Sequence, residues 1–242
     1  MKSQIELVVF DMAGTTVKDE REVENCFYDA AILSGLEANR ERINDMMGLP
    51  KLVVVETLWS ESIGKDHVSY KEKVMQHYDL FKKILEQHYI DHPISPTEGT
   101  LATFEWLRSE GIKIALTTGF YRKVANIILQ KLGWEKERFF GFRNGVIDLS
   151  LTPDETQKGR PYPDMIWKAQ ALLNVSSTKK IIKIGDTPAD LQAGKAANCR
   201  LVLGVTNGTH THEQLSQYEN DGLLPSMEHF RSVVESELLV VA

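Results

Sequence analysis

Four stretches of the chain are mainly apolar and rich in β-branched residues. They read "IELVVF" (5–10), "IKIALTTG" (112–119), "KKIIKIGD" (179–186) and "RLVLGV" (200–205). Such runs are typical of strands that are covered on both faces. From residue 97 onward they alternate with segments whose apolar residues have helical spacing. This alternation predicts an α/β fold with a doubly wound, mostly parallel sheet and helices on both faces.

The first two predicted strands are separated by a long block with helical periodicity. It contains "REVENCFYDAAILSGL", "ERINDMMGLP", "KLVVVETLWSESIG" and "HVSYKEKVMQHYDLFKKILEQHYIDHP". The block is too long for an ordinary crossover connection and large enough to form a small domain. We therefore expect a core domain formed by residues 1–17 and 93–242, with an inserted helical domain at residues 18–92.

Composition and charge exclude several classes of protein. The net charge of −6 provides no basic surface, so neither nucleic acid nor an anionic membrane is an expected partner. Two cysteines, Cys26 and Cys199, are too few for a disulfide framework, which suits a reducing compartment. No charged-then-apolar leader and no run of membrane-spanning length are present. These features predict a soluble, cytoplasmic protein.

Polar side chains follow three of the predicted strands. Asp11 comes after the first strand, Thr117 and Thr118 end the second, and Asp186 ends the third. In parallel sheets, ligands bind at the carboxyl ends of the strands. Two aspartates that meet there would supply oxygen ligands for Mg²⁺. Asp190 follows on the next helix and could support the metal indirectly, through a bound water molecule or through a hydrogen bond to a residue that coordinates the metal.

A fixed cation is expected near these aspartates. Arg160 stands in "KGRPYPDM", where two prolines stiffen the loop, and its guanidinium fork matches the oxygens of a phosphate. A carboxylate nucleophile, a divalent metal, a hydroxyl group and a cation around one phosphorus atom are the components of phosphoryl transfer. The sequence therefore predicts an enzyme that acts on a small phosphorylated or phosphonate substrate.

The motifs and their order resemble those of the haloacid dehalogenase superfamily. "DMAGT", "LTTG", Arg160 and "GDTPAD" match its four motifs. The resemblance implies that Asp11 is the nucleophile and that Thr118 contacts the phosphoryl group, with Thr117 and Gly119 beside it. It also implies that Mg²⁺ is held by Asp11, the backbone carbonyl of Ala13, Asp186 and Asp190, and that the helical block is a cap.

Within that superfamily the chain looks like the phosphonatases, which cleave a carbon–phosphorus bond. It shares "AGTTV", "TTG", "GRPYP" and "GDT" with them, and Ala13 stands where phosphatases carry a second acid. The resemblance implies that Lys51, after "MMGLP", forms a Schiff base whose iminium accepts the electrons of the leaving carbon. No acid at position 13 is then needed. A solvated or phosphate-contacting lysine would have the same sequence. The resemblance also implies a homodimer formed through the caps.

Three positions depart from the phosphonatase pattern. Val54 replaces a histidine, Phe120 a tyrosine and Arg21 a cysteine. All three lie near the aldehyde end of the expected site, and Arg21 could instead face a second anionic group of the substrate. Two alternatives therefore stay open. One is a phosphomonoesterase that resembles phosphoglycolate phosphatases, and the other is a phosphate-binding or regulatory protein that has lost turnover.

Overall fold

A computed structural model describes residues 5–134 and 146–239 of the chain. Within these residues the central feature is a six-stranded, fully parallel sheet with the order β3-β2-β1-β4-β5-β6. The strands are β1 (Leu7–Phe10), β2 (Lys113–Thr117), β3 (Leu149–Leu151), β4 (Ile181–Gly185), β5 (Leu201–Val205) and β6 (Gly222–Leu224). Because β1 pairs with both β2 and β4, the strand order reverses beside it. The predicted doubly wound α/β fold is confirmed.

Helices cover the sheet and fill the long insertion after β1. Within the described segment 18–92 these helices are α1 (Glu22–Ser34), α2 (Arg40–Asp45), α3 (Lys51–Ile63) and α4 (Tyr70–Asp91). The later helices are α5 (Thr100–Ser109), α6 (Arg122–Leu132), α7 (Asp164–Leu172), α8 (Pro188–Ala196), α9 (His212–Leu215) and α10 (Phe230–Leu239). We call residues 18–92 the cap. Its limits as an independent domain stay a prediction.

The sheet is buried on both faces, which explains why its strands read as continuous apolar runs. On one face the ring of Phe10 meets Phe104 at 5.2 Å and Phe230 at 5.6 Å between centroids. On the other face Leu7 and Val9 join a separate apolar cluster. The alternation of side chains along β1 therefore divides the core into two layers.

Two short strands were absent from the expected set. β3 and β6 contain only "LSL" and "GLL", at the two edges of the sheet. Three residues are too few to show a period, so hydrogen bonding to the neighbouring strand decides their conformation. No described helix combines the length and the apolar character that are needed to cross a bilayer.

The cap packs on the sheet domain along α4, which lies against α6, and through the loop between α2 and α3. At the first of these contacts the Tyr121 hydroxyl donates to Glu86 Oε1 at 2.9 Å. Phe27 of α1 packs on Phe81 of α4 with 4.9 Å between ring centroids. Between α2 and α3, Gly48 has a φ of +86°, and a Cβ built on it would lie 2.2 Å from Thr187 Oγ1. A Cβ on Gly119 would lie 2.7 Å from the carbonyl oxygen of Leu49. At both positions the cap loop and the core lie so close together that a side chain would not fit between them.

We predict that Gly48→Ala lifts the cap loop off the core without unfolding the protein. The clash with Thr187 costs about 1–3 kcal/mol, in addition to the strain of a positive φ. The buried amide of Phe120, which donates to Thr118 Oγ1 beside this loop, should then exchange with deuterium about 10-fold faster or more.

Gly64→Ala is the matched control for this experiment. Gly64 has a φ of +81°, but a Cβ there would meet no atom within 4 Å. It therefore reproduces the backbone strain without the clash. Equal exchange of the Phe120 amide in both variants would contradict the proposed contact between cap and core.

Candidate active site

Asp11 is placed by the end of β1 and by the tight loop that follows it. Its backbone N–H donates to the carbonyl of Ile184 at 3.0 Å, and the residue is buried. Gly14 in the loop has a φ of +83°, and a Cβ on it would lie 2.1 Å from Asp186 Oδ2. Only glycine lets the loop approach this closely. The loop therefore brings the carboxylates that follow β1 and β4 to the same point.

Asp186 is fixed by two hydrogen bonds and is fully buried. The Thr15 hydroxyl donates to Oδ1 at 2.9 Å, and the Thr209 N–H donates to Oδ2 at 2.7 Å. Carboxylate oxygens of Asp11, Asp186 and Asp190 all lie within 4.8 Å of one another. The three aspartates that the sequence singled out are therefore brought together.

Arg160 joins the two halves of this cluster. Its Nη1 lies 2.9 Å from Asp11 Oδ1 and also forms an ion pair with Asp190. Lys183 Nζ is 2.7 Å from Asp190 Oδ1, and the Thr187 hydroxyl donates to Asp190 Oδ2 at 2.6 Å. All four charged groups are almost completely buried. Asp190 is thus the shared counter-ion of two buried cations.

The cluster can hold a divalent metal ion. Asp11 Oδ1 is buried and makes no hydrogen bond, although Arg160 lies close to it. Asp190 Oδ1 is shared by two cations and its Oδ2 accepts from Thr187, whereas each oxygen of Asp186 accepts a single hydrogen bond, so Asp11 and Asp186 keep more coordination capacity. Oxygen ligands of this kind favour hard cations. Ala13 lines the adjoining cavity, and the metal contact expected of its carbonyl stays a prediction.

The pKa values of the cluster reflect burial and charge. Burial raises the pKa of Asp11 to about 8, and the neighbouring Asp190 and Asp186 add to this while Arg160 and Lys183 oppose it. Burial also acts on Asp190, but there Arg160 and Lys183 outweigh it and lower the pKa. A divalent cation beside Asp11 would favour its ionised form, which is the nucleophilic form.

A small cavity lies between the cap and the carboxyl edge of the sheet. Its volume is about 20 Å³, enough for about one water molecule. The cavity is lined by the nucleophile candidate, by loop residues of the core and by residues of the cap: Asp11, Ala13, Asp19, Val23, Met47, Gly48, Lys51, Thr118, Gly119, Phe120, Arg160, Thr187 and Thr209. Entry of a substrate therefore requires the cap to open.

Lys51 enters this cavity from the first residue of α3. It is 5% exposed, its Nζ lies 3.5 Å from Met47 Sδ, and no carboxylate of the described residues forms an ion pair with it. Burial lowers its pKa to about 8, and the positive charge of Arg160 adds to this shift, while Asp19 and Asp11 oppose it. The partial positive charge at a helix N-terminus also disfavours an ammonium group there. About one tenth of this amine is uncharged at pH 7.

The other residues singled out from the sequence fall into two groups. Thr118 and Gly119 line the cavity, and Thr118 Oγ1 accepts from the Phe120 N–H, which leaves its proton free for a ligand. Thr117 lies one layer deeper, where its hydroxyl contacts the Phe10 carbonyl and Lys183 Nζ.

Arg21 lies outside this cavity. The residue is exposed to solvent, and its expected contact with an anionic group of the substrate stays a prediction. Its φ of +71° marks the point where the chain turns into α1. Two residues earlier, Asp19 faces the cavity instead.

Sequence reasoning missed two functional residues. Asp19 lies in a polar segment before α1, where an acid is usually solvated, and no pattern there indicates a cavity. Lys183 carried a clearer signal, because it interrupts the apolar run of a strand that is covered on both faces. A lysine in such a strand needs a buried carboxylate partner, and Asp190 provides it.

Comparison with known proteins now decides the family. A sequence model described as haloacid dehalogenase-like hydrolase matches residues 5–198. The chain belongs to this family. Phosphonoacetaldehyde hydrolase of Bacillus cytotoxicus is 29% identical over 94% of this chain and 87% of its own length. The protein of the same name from Bacteroides fragilis is 30% identical over 87% of this chain and 81% of its own length.

The fold is also shared with a solved structure. The phosphonoacetaldehyde hydrolase like protein of Oleispira antarctica superposes with a TM-score of 0.83 over 100% of this chain and 95% of its own, at 20% identity. Family, fold and site agree that this haloacid dehalogenase-like hydrolase is a phosphohydrolase. The predicted resemblance is confirmed.

We predict that Asp190→Asn lowers the free energy of unfolding by about 3–5 kcal/mol, because it leaves Arg160 and Lys183 buried without their shared counter-ion. Asp186→Asn should change it by only about 1 kcal/mol, since the amide oxygen can still accept from the Thr209 N–H while the NH₂ group donates to the Thr15 hydroxyl, which can also accept. Urea denaturation without added metal measures both values. Equal losses in the two variants would contradict the role given to Asp190.

Proposed function

We propose that this protein is a Mg²⁺-dependent, phosphonatase-like hydrolase that acts on a small phosphonate aldehyde through an aspartyl-phosphate intermediate. One observation carries the proposal. Asp11 and the buried amine of Lys51, which forms no ion pair within the described part of the chain, line the same small cavity, while Ala13 replaces the acid that a phosphate ester would require. The names of the relatives from Bacillus and Bacteroides support phosphonoacetaldehyde as the substrate to test first.

The phosphorus half of the cavity supports nucleophilic displacement. The Asp11 carboxylate attacks phosphorus, and Arg160 and the Thr118 hydroxyl hold the phosphoryl oxygens. Water then hydrolyses the aspartyl phosphate. Asp11, Asp186 and the Ala13 carbonyl would hold Mg²⁺, which would neutralise the charge of the phosphoryl group.

The amine half explains the missing acid. The uncharged Lys51 amine adds to the aldehyde carbon, and loss of water gives an iminium ion. When Asp11 attacks phosphorus, the electrons of the carbon–phosphorus bond move into this iminium and form an enamine. Protonation of the enamine carbon and hydrolysis then release the aldehyde. Carbon therefore leaves without an acid at position 13.

Access to the cavity supports a cap that opens and closes. A groove of about 690 Å³ adjoins the cavity, and the two share Lys51, Gly119 and Arg160 as lining residues. A substrate can enter along this groove when the Gly48 loop lifts from Thr187. Closure then removes bulk water, which would otherwise hydrolyse the iminium.

A second candidate function is a phosphomonoesterase for a small organic phosphate. The observation that favours it is Asp19, a carboxyl group in the same cavity that could protonate an alkoxide. In this case Lys51 would bind the substrate rather than react with it.

The expected homodimer stays a prediction. Ile32 and Leu33 of α1 are 52% and 65% exposed, and they give the cap an apolar surface that a second chain could cover.

We predict that the enzyme with Mg²⁺ hydrolyses phosphonoacetaldehyde and that Lys51→Arg lowers this rate about 1,000-fold or more, because a guanidinium stays protonated and cannot form an imine. Below a pH of about 8 the wild-type rate should rise with pH, since the Lys51 pKa is lowered to about 8 and only the uncharged amine reacts. Initial rates on phosphonoacetaldehyde and on a panel of small phosphate monoesters measure this.

Two controls accompany these rates. Lys65→Arg changes an exposed lysine of the cap and should leave the rate unchanged. Asp11→Asn should abolish every Mg²⁺-dependent activity. Turnover of the monoesters alone would establish the second candidate, and retained turnover in Asp11→Asn would refute both mechanisms.

A further inference from the structure

Asp19 occupies a position in the cavity that the reaction described above does not use. It lies on the cap side of the cavity, which also contains Asp11 and Lys51. Among the carboxylates around Lys51, Asp19 raises the pKa of its ammonium group most, ahead of Asp11 and Asp186. A carboxyl group of the cap therefore faces the same cavity as the nucleophile candidate Asp11.

The orientation of Asp19 is fixed by the start of α1. Its Oδ1 accepts from the Glu22 N–H at 2.8 Å and from the Val23 N–H at 3.4 Å, so the side chain caps the helix. Within the described residues, no protein N–H or O–H donates to its other oxygen, Oδ2. One oxygen therefore holds the carboxyl in place, and the other is available for a proton.

The surroundings of Asp19 favour its protonated form. Burial, followed by Glu22, raises the pKa of Asp19 to about 8. Burial also acts on Glu22, but hydrogen bonds from Asp19 and from backbone N–H groups lower its pKa. The titratable groups that act on Asp19 or respond to it come from α1, α3, α4 and the end of β4: Glu22, Cys26, Lys51, Tyr89 and Asp186. Lys51 is the one cation in this set.

We propose that Asp19 is the general acid of this enzyme and protonates the atom that leaves phosphorus. The inference rests on the proposed function, since it presupposes attack by Asp11. For an ester, the bond from phosphorus to oxygen breaks, its electron pair stays on oxygen, and the Asp19 proton converts that oxygen to an alcohol. For a phosphonate aldehyde, the proton goes to the enamine carbon. The proton released when water attacks the aspartyl phosphate restores Asp19.

This assignment gives the function of the missing acid to a different part of the chain. An acid two residues after the nucleophile would approach the leaving atom from the loop after β1, where Ala13 now stands. Asp19 approaches it from the cap, so proton donation becomes available only when the cap is closed. Cap closure and leaving-group protonation are thereby linked.

The test compares substrates that differ in their need for a proton. Asp19→Asn keeps an oxygen that can accept from the Glu22 and Val23 N–H groups but cannot give up a proton. With Mg²⁺, its rate on ethyl phosphate should fall about 100- to 10,000-fold, because ethoxide leaves poorly without a proton. Its rate on 4-nitrophenyl phosphate should fall less than about 10-fold, because nitrophenolate is a stable anion. Asp29→Asn, an exposed acid on α1, is the matched control and should change neither rate.

The outcomes separate this inference from the proposed function. Equal loss on the two esters would show that Asp19 only caps α1 and would overturn the inference, while the proposed function stands. If the wild-type enzyme hydrolyses neither ester nor phosphonoacetaldehyde, the proposed function fails and the inference with it. Thermal unfolding checks that the variant is folded, and Asp19→Ser, which also caps a helix without donating a proton, replaces it if it is not.

Discussion

The Arg160 guanidinium is buried between Asp11 and Asp190, and the geometry of the active site depends on these two ion pairs. A guanidinium removed from water is costly unless carboxylates surround it, so the loops that carry Asp11 and Asp190 must converge on it. Lys183 adds a second buried cation and makes Asp190 indispensable to both. The same guanidinium lines the cavity beside Asp11, where the proposed function has it hold a phosphoryl group. In that proposal, structural stability and phosphate recognition arise from one cluster.

The cap supplies chemistry that this cluster cannot provide. Lys51 is buried at the start of a helix, near Arg160, and these three circumstances all favour the uncharged amine. Asp19 is held by the first turn of α1, and its surroundings raise its pKa. In the proposed mechanism the core therefore acts on phosphorus and the cap acts on the leaving group. That mechanism explains how a chain with Ala13 in the loop after β1 could function, because the second half of the reaction moves to the cap.

Much of this arrangement could be predicted from the sequence. The four strands that are covered on both faces are long apolar runs, and Asp11, Asp186 and Thr118 follow them directly at the edge where ligands bind. β3 and β6 could not be predicted, because pairing with a neighbour rather than a pattern of residues decides a three-residue strand. Asp19 and Arg21 show the same limit at the site. Both are charged residues in one polar segment, and only the turn into α1 determines that the acid faces the cavity and the arginine faces solvent.

The central claim is that one cavity carries both the phosphorus nucleophile and an amine that forms an imine. Reduction by sodium borohydride during turnover of phosphonoacetaldehyde, followed by peptide mass spectrometry, tests it most directly. The account predicts a reduced secondary amine on Lys51 that appears only when the aldehyde and borohydride are both present. Complete turnover of the aldehyde with Lys51 unmodified, or with the adduct on a different lysine, would contradict it.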